Sequence, residues 1–278
     1  MTWKIVADSG CDYRQLENLA TDTQFESVPL TLQVAETIYT DTTDLDIDKM
    51  MEHMYATSTA SKSACPSPDD YMRAFKGADK IFVVTITGAL SGSHNAAQLA
   101  SQIYKEDHPE VQIHLIDSLS AGGEMDLIVT KLNELIRQNL TFEEVIQAIT
   151  AYKSKLLFIL AKVDNLVKNG RLNKLSGAMA GLLNIRLIGE ASSQGKLEIL
   201  HKVRGSKKLA KTSFEELLHK GYQGGRIVIS HRNNENFCQQ FSQFVVEQFP
   251  LAEIEILPTS GVCSFYIEES GVFIGYEN

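Results

Sequence analysis

The sequence has no long hydrophobic run: its longest strictly apolar stretch is Leu156 to Ala161, against the roughly 20 residues that a membrane-spanning helix needs. It is also short of cations, with 26 Lys and Arg against 35 Asp and Glu and a net charge of −9. That balance argues against sequence-independent nucleic-acid binding, which relies on many cations at phosphates. The four cysteines, Cys11, Cys65, Cys238 and Cys263, are far apart and form no C-x-x-C pair. Such spacing fits a reducing cytoplasm rather than a disulfide framework or a zinc site. Neither G-x-x-x-x-G-K-[ST] nor G-x-G-x-x-G occurs, so no phosphate loop supports a nucleotide-dependent kinase. The segment G-A-L-S-G at 88–92 is not the G-x-S-x-G elbow of a serine hydrolase, and the dispersed histidines give neither a triad nor a metal cluster. The opening residues Met1-Thr2-Trp3-Lys4 pass straight into a strand with no signal-peptide apolar region.

What is present is an ordinary globular composition, 44% hydrophobic and 22% charged over 278 residues, a length that suggests two domains. Short β-like runs are predicted at Lys4 to Ala7, Lys80 to Ile86, Gln112 to Ile116, Leu156 to Ala161, Arg226 to Ser230 and Glu253 to Leu257. Two more are predicted at Ile185 to Glu190 and Leu197 to Val203. Several are continuous apolar runs, as strands covered on both faces should be. Helical patterns lie between them, at Leu45 to Tyr55, Ser91 to Tyr104, Met125 to Gln138, Phe142 to Lys153, Lys207 to Lys220 and Asn234 to Gln248. Ser67-Pro68-Asp69-Asp70 has the N-cap, first-position proline and early acids of a helix start. The class is α/β, divided into an N-terminal domain (1–154), mainly a parallel sheet, and a mixed α/β C-terminal domain (155–278).

In open α/β sheets, ligands collect at the carboxyl ends of strands, near helix N-termini that favour anions. Three junctions match: Asp8-Ser9, Thr87 to Ser93, and Asp117-Ser118. The middle one is the strongest for a carboxylate, because Ser91, Gly92 and Ser93 offer hydroxyls and an uncrowded backbone. The simpler account is that these residues are N-caps, and for Asp8 and Asp117 it is equally good, since a carboxylate repels an acid ligand. Further along, D-N-L-V-K-N-G-R (164–171) puts an arginine directly after a turn glycine. Gly170 can take the left-handed form that ends a helix, and Arg171 then presents a planar fork suited to carboxylate or phosphate. On those eight residues alone, the reading is a helix C-cap with a solvated arginine.

Five more segments change that reading: I-V-A-D-S-G-C-D (5–12), K-S-A-C-P-S-P-D-D-Y (62–71), I-T-G-A-L-S-G-S-H-N-A-A (86–97), I-D-S-L-S-A-G (116–122) and G-K-L-E-I-L-H-K-V-R-G (195–205). With the octapeptide, their order and spacing resemble the DegV family of fatty-acid-binding proteins, from about residue 4 to the C-terminus. The resemblance implies a two-domain DegV-like fold with a lipid tunnel between or beside the domains. It implies a cytoplasmic, non-enzymatic protein without cofactor, which holds a long-chain fatty acid for a separate ATP-binding fatty acid kinase subunit. Lipid transport, a supply to phospholipid synthesis and transient contact with a membrane surface go with that role. The alternative is a carrier or sensor of another amphiphile, such as an isoprenoid or lysolipid.

Residue by residue, the resemblance places Ser63 at the family's threonine, with Ala64 replacing a second hydroxyl. Ser91 and Ser93 become ligand contacts, and Arg171 sits at the mouth of the head-group site. Two departures stand out. Tyr266-Ile267-Glu268-Glu269-Ser270 occupies the place of an H-x-G-P-G segment, and His94 stands where S-G-T-Y has its tyrosine. If both lie at the head group, Tyr266 and His94 have exchanged sites, with His94 the titratable partner; otherwise His94 is a helix-surface residue and Tyr266 is core. Candidate tunnel walls are the apolar residues of Met50 to Tyr55, Ile128 to Leu135 and Met179 to Leu183, all of which serve equally as core.

Overall fold

The computed structural model describes residues 1–172 and 185–278. In chain order, the first half comprises β1 (Trp3–Asp8), β2 (Thr23–Val28), β3 (Thr31–Val34), β4 (Thr37–Thr40), α1 (Ile47–Ala56), β5 (Lys62–Ala64), α2 (Pro68–Phe75), β6 (Lys80–Thr85), α3 (Ser93–Asp107), β7 (Gln112–Asp117), α4 (Gly123–Arg137) and α5 (Phe142–Ala151). The second half comprises β8 (Ser154–Leu160), α6 (Asp164–Lys168), β9 (Ile185–Ala191), β10 (Leu197–Arg204), α7 (Ser206–His219), β11 (Ile227–His231), α8 (Glu235–Gln248), β12 (Ile254–Pro258), α9 (Gly261–Ile267) and β13 (Val272–Glu277). Every strand and helix expected from the periodicity is present. The start of α2 is a capping box, in which Ser67 and Asp70 bond each other's backbone N–H. Missing from the expectations were β2 to β5, α9 and β13.

The sheet β2-β1-β6-β7 is parallel throughout, with separate apolar clusters on its two faces. The larger sheet, β10-β9-β8-β13-β11-β12, is mixed: only β11 and β12 run parallel. Strand β8 shows why both faces are apolar. Leu156, Phe158 and Leu160 point into one cluster, and Leu157 and Ile159 into the other, as the two-residue repeat of a strand requires. A small antiparallel sheet, β4-β3-β5, packs near α1.

The halves meet closely. A Cβ on Gly275 would lie 2.2 Å from the Gly123 carbonyl carbon, and one on Gly123 would lie 2.4 Å from the Val228 oxygen. The first turn of α4 therefore rests on the backbone of the second sheet, an approach only glycine permits. Acids of the first half also hold the start of α9. Asp12 Oδ1 accepts from Ser260 N at 2.6 Å, and Asp41 accepts from Gly261 N and Val262 N at 2.8 Å each. Carboxylates at these free N–H groups complement the helix dipole, and Arg14 pairs with Asp41 at 2.6 Å. Behind Asp12 lies buried Asp126, whose Oδ1 accepts from Asp12 N, Tyr13 N and Cys11 Sγ. Among the described residues, Asp126 Oδ2 has no hydrogen-bond partner. Burial raises both carboxyls above their ordinary range, and the neighbouring Asp12 raises Asp126 further.

Candidate functional site

Between the two large sheets lies a cavity of about 280 Å³, at the lower edge of the range for small-molecule sites, roughly 300–1,000 Å³. Its apolar wall comes from one face of β8 through Leu156, Phe158 and Leu160, with Val262, Ile267 and Phe273 from α9 and β13. The loop between β6 and α3 closes another side through Ile86, Thr87 and Leu90. Thr87 Oγ1 donates to the Gly195 carbonyl at 2.9 Å, which fastens this loop to the turn between β9 and β10.

The polar end is built from four separate stretches. On β5, Ser63 Oγ lies 2.6 Å from the hydroxyl of Tyr266 on α9. The Arg171 guanidinium stands over the Tyr266 ring, 5.9 Å from its centroid, with Nε donating to the Leu90 carbonyl at 3.3 Å and Nη1 to the Asn169 carbonyl. Ser91, one residue beyond Leu90, lines the same cavity. Arg171 is carried out of α6 by the turn the sequence anticipates: Gly170 has φ +73°, and the N–H groups of Arg171 and Leu172 both donate to the Leu166 carbonyl. This is a Schellman-type ending. Among the described lining residues, Arg171 is the only Lys, Arg, Asp or Glu. An apolar chamber whose polar end offers hydroxyls and one permanent cation suits a long apolar chain ending in an anion.

Ser63, Ser91, Arg171 and Tyr266 thus line one cavity, whereas Ser93 and His94 do not. Buried Ser93 turns inward, its Oγ in a short bond to Asp8 Oδ2 and 2.6 Å from Tyr71 OH. The buried Asp8 carboxylate accepts the hydrogen bond from the Ser93 hydroxyl that a cavity ligand would need. Burial pushes Asp8 up to about 6, although Ser93 and the N–H groups of Ile86 and Gly10 pull it down. The half-buried His94 ring meets Thr85 Oγ1 at 3.1 Å on the last residue of β6, so the exchange of sites with Tyr266 does not occur. Asp117 braces the turn after β7 by accepting from Gly88 N and Leu119 N. Of the expected tunnel walls, Met50, Met51 and Met54 are core beside the cavity and do not line it. Ile128 to Leu135 pack against the parallel sheet, and residues 179–183 lie outside the described residues.

Cys65 and the face of β8 toward the cavity escaped sequence reading, although their signals were present. Cys65 lies two residues from Ser63, and the cavity face of β8 is the even-numbered half of its alternation, Leu156, Phe158 and Leu160. At the Tyr266–Ser270 segment the backbone is left-handed at Glu268 (φ +55°) and Ser270 (φ +65°), the two positions where the family pattern has glycine. Holding a side chain at such a positive φ costs on the order of 1–3 kcal/mol per residue. Among the described residues, no group of three or more His, Cys, Asp and Glu is placed to hold a metal, and no helix is long and apolar enough to cross a membrane.

An apolar cavity with a hydroxyl-and-arginine end defines a binding protein for an amphiphile with an anionic head. The chain belongs to the DegV family: the model of that family, described as an uncharacterised protein family, matches residues 2–277. A DegV domain-containing protein of Streptococcus gordonii is 66% identical over all of this chain and 99% of its own length. The crystal structure of the Streptococcus pneumoniae fatty acid kinase (Fak) B3 protein loaded with linoleic acid is 67% identical, with a TM-score of 0.99 over 100% of this chain and 99% of that one. A DegV family protein from Eubacterium eligens loaded with heptadecanoic acid is 35% identical, with a TM-score of 0.96 over the full length of both chains.

Proposed function

We propose that this protein binds a long-chain fatty acid and presents its carboxylate to a separate fatty acid kinase. The observation that carries the reading is the cavity itself, apolar along its walls and ending at Ser63, Tyr266 and Arg171. The linoleic and heptadecanoic acids in two relatives support the ligand class. The domains are 1–154 and 155–278, with the lipid between their sheets, and the setting is the cytoplasm with transient contact at a membrane surface. Burying about fifteen methylenes contributes on the order of 12 kcal/mol at roughly 0.8 each, offset in part by the ordering of both partners. Hydrogen bonds at the carboxylate are worth roughly 1–3 kcal/mol each, so the apolar wall sets affinity and the polar end sets orientation. Native mass spectrometry of the purified protein should show the added mass of a fatty acid. A protein that stays empty and takes up no oleate in titration rejects the reading, and a different released mass points to another amphiphile.

The hydroxyl pair and the histidine separate cleanly by substitution. Tyr266→Phe should weaken oleate binding about fivefold, the loss of one neutral hydrogen bond of roughly 1 kcal/mol. His94→Gln should leave the curve of binding against pH unchanged, because His94 meets Thr85 outside the cavity. A shifted curve for His94→Gln would bring that residue back to the head group.

The kinase contact is assigned to the basic run of Lys202, Arg204, Lys207 and Lys208 in an otherwise acidic chain. Complementary charge at an interface acts mainly on association rate. Reversing Lys207 and Lys208 to Glu should slow acyl-phosphate formation several-fold at low salt and leave fatty-acid affinity untouched. Rates that ignore both the substitution and the ionic strength would remove the docking role.

A further inference from the structure

Glu268 combines two unfavourable features. Its φ of +55° is strained for a residue with a side chain, and its carboxylate is almost wholly shielded, with 2% of the residue exposed. Such strain persists only where surrounding contacts hold it, and it marks sites where geometry matters. The contacts here are specific. Glu268 Oε1 accepts from the backbone N–H of Asn165 at 3.1 Å, in the single turn of α6. Asn165 Nδ2 returns the bond to the Phe265 carbonyl at 2.9 Å, one residue before Tyr266. Adjacent Leu166 then supplies the carbonyl that fixes Arg171 N at 2.8 Å. A short, fully bonded route therefore joins the two halves of the polar end, from Tyr266 through Glu268, Asn165 and Leu166 to Arg171.

We infer that Glu268 is a positioning residue that sets the separation of Tyr266 and Arg171 and so gives the cavity its preference for a carboxylate over an uncharged head. Glu268 does not line the cavity and acts only through the residues it holds. Without its carboxylate, α6 and α9 keep one bond of the pair, and the guanidinium and hydroxyls are free to drift apart while the apolar wall stays as it is. The inference rests on the fatty-acid reading above.

The test compares oleate with oleyl alcohol, which share a chain and differ at the head, on delipidated wild type, Glu268→Gln and Glu268→Gly. Glycine relieves the left-handed backbone while removing the carboxylate, so the thermal midpoint should stay close to that of wild type. Oleate affinity should fall about tenfold in Glu268→Gly with oleyl alcohol unchanged, which collapses the ratio of the two. Glu268→Gln keeps an acceptor for Asn165 N and should stay near the wild-type ratio. Should Glu268→Gly not fold, Glu268→Asp, one methylene too short to reach Asn165, reports the same ratio. A wild-type ratio in the glycine or aspartate variant overturns the inference and leaves the fatty-acid reading standing. Wild-type protein that takes up no oleate overturns that reading itself.

Discussion

Arg171→Ala should lower affinity for oleate by ten- to a hundredfold and barely change affinity for oleyl alcohol. Hydrogen bonds to a charged group are worth roughly 1.5–3 kcal/mol, and each 1.4 kcal/mol is about a factor of ten in Kd. No other Lys or Arg lines the described part of the cavity, so nothing there replaces the lost charge. Arg171→Lys should recover only part of the loss, because an ammonium keeps the charge without the planar fork that engages both carboxylate oxygens. The side chain is half-buried, so the effect should shrink somewhat at high salt. Fluorescence titration at two ionic strengths measures it. An alanine variant that binds oleate within twofold of wild type would mean that the carboxylate sits elsewhere.

The second large effect concerns Asp126, and it is one of stability. Its carboxyl is raised by burial and by Asp12 beside it, so the folded chain holds a proton that the unfolded chain releases near pH 3.9. Stability should therefore fall as pH climbs from about 4 toward the raised folded value, because the unfolded state binds fewer protons over that window. Asp126→Asn keeps an oxygen for Asp12 N and Tyr13 N and carries no charge at any pH. It should flatten the slope and melt above wild type at pH 8. Asp126→Ala abandons two buried donors and a half-buried one and should lose roughly 3 kcal/mol or more, on the order of 6–12 °C in Tm. Melting curves of lipid-free protein between pH 5 and 8 decide the matter, and parallel slopes for wild type and Asp126→Asn would refute the raised carboxyl.

The apolar strands β1, β6, β8 and β11 were legible because strands covered on both faces read as unbroken hydrophobic runs. Strand β13 was not, though it lies mid-sheet. Glu268-Glu269-Ser270-Gly271 reads as a polar turn, and Gly275 interrupts a run of only six residues. The small sheet was hidden by brevity and polarity, since β3 (Thr31-Leu32-Gln33-Val34) and β4 (Thr37-Ile38-Tyr39-Thr40) are four residues each and half polar. At the site, Arg171 could be read from its turn, and Ser63 and Tyr266 from the matched segments. Ser93 could not, because only the fold brings Asp8 from the end of β1 to accept its hydrogen bond. Ser91, two residues earlier, carries the same hydroxyl and lines the cavity, so the distinction lies in where each hydroxyl falls around the start of α3.

The place of β13 bears on how the chain acquires its structure. Ile159 of β8 pairs with Val272, and Ile229 of β11 pairs with Ile274, so the strand that unites the large sheet follows both of its partners in sequence. Until it docks, β10-β9-β8 and β12-β11 are two fragments with open, strongly apolar rims, and uniting them requires long-range loop closure, a slow class of step. Exposed rims of that kind recruit strands from other molecules. Refolding yield should therefore be governed by competition between insertion of this one strand and intermolecular pairing, with dilution favouring the native sheet.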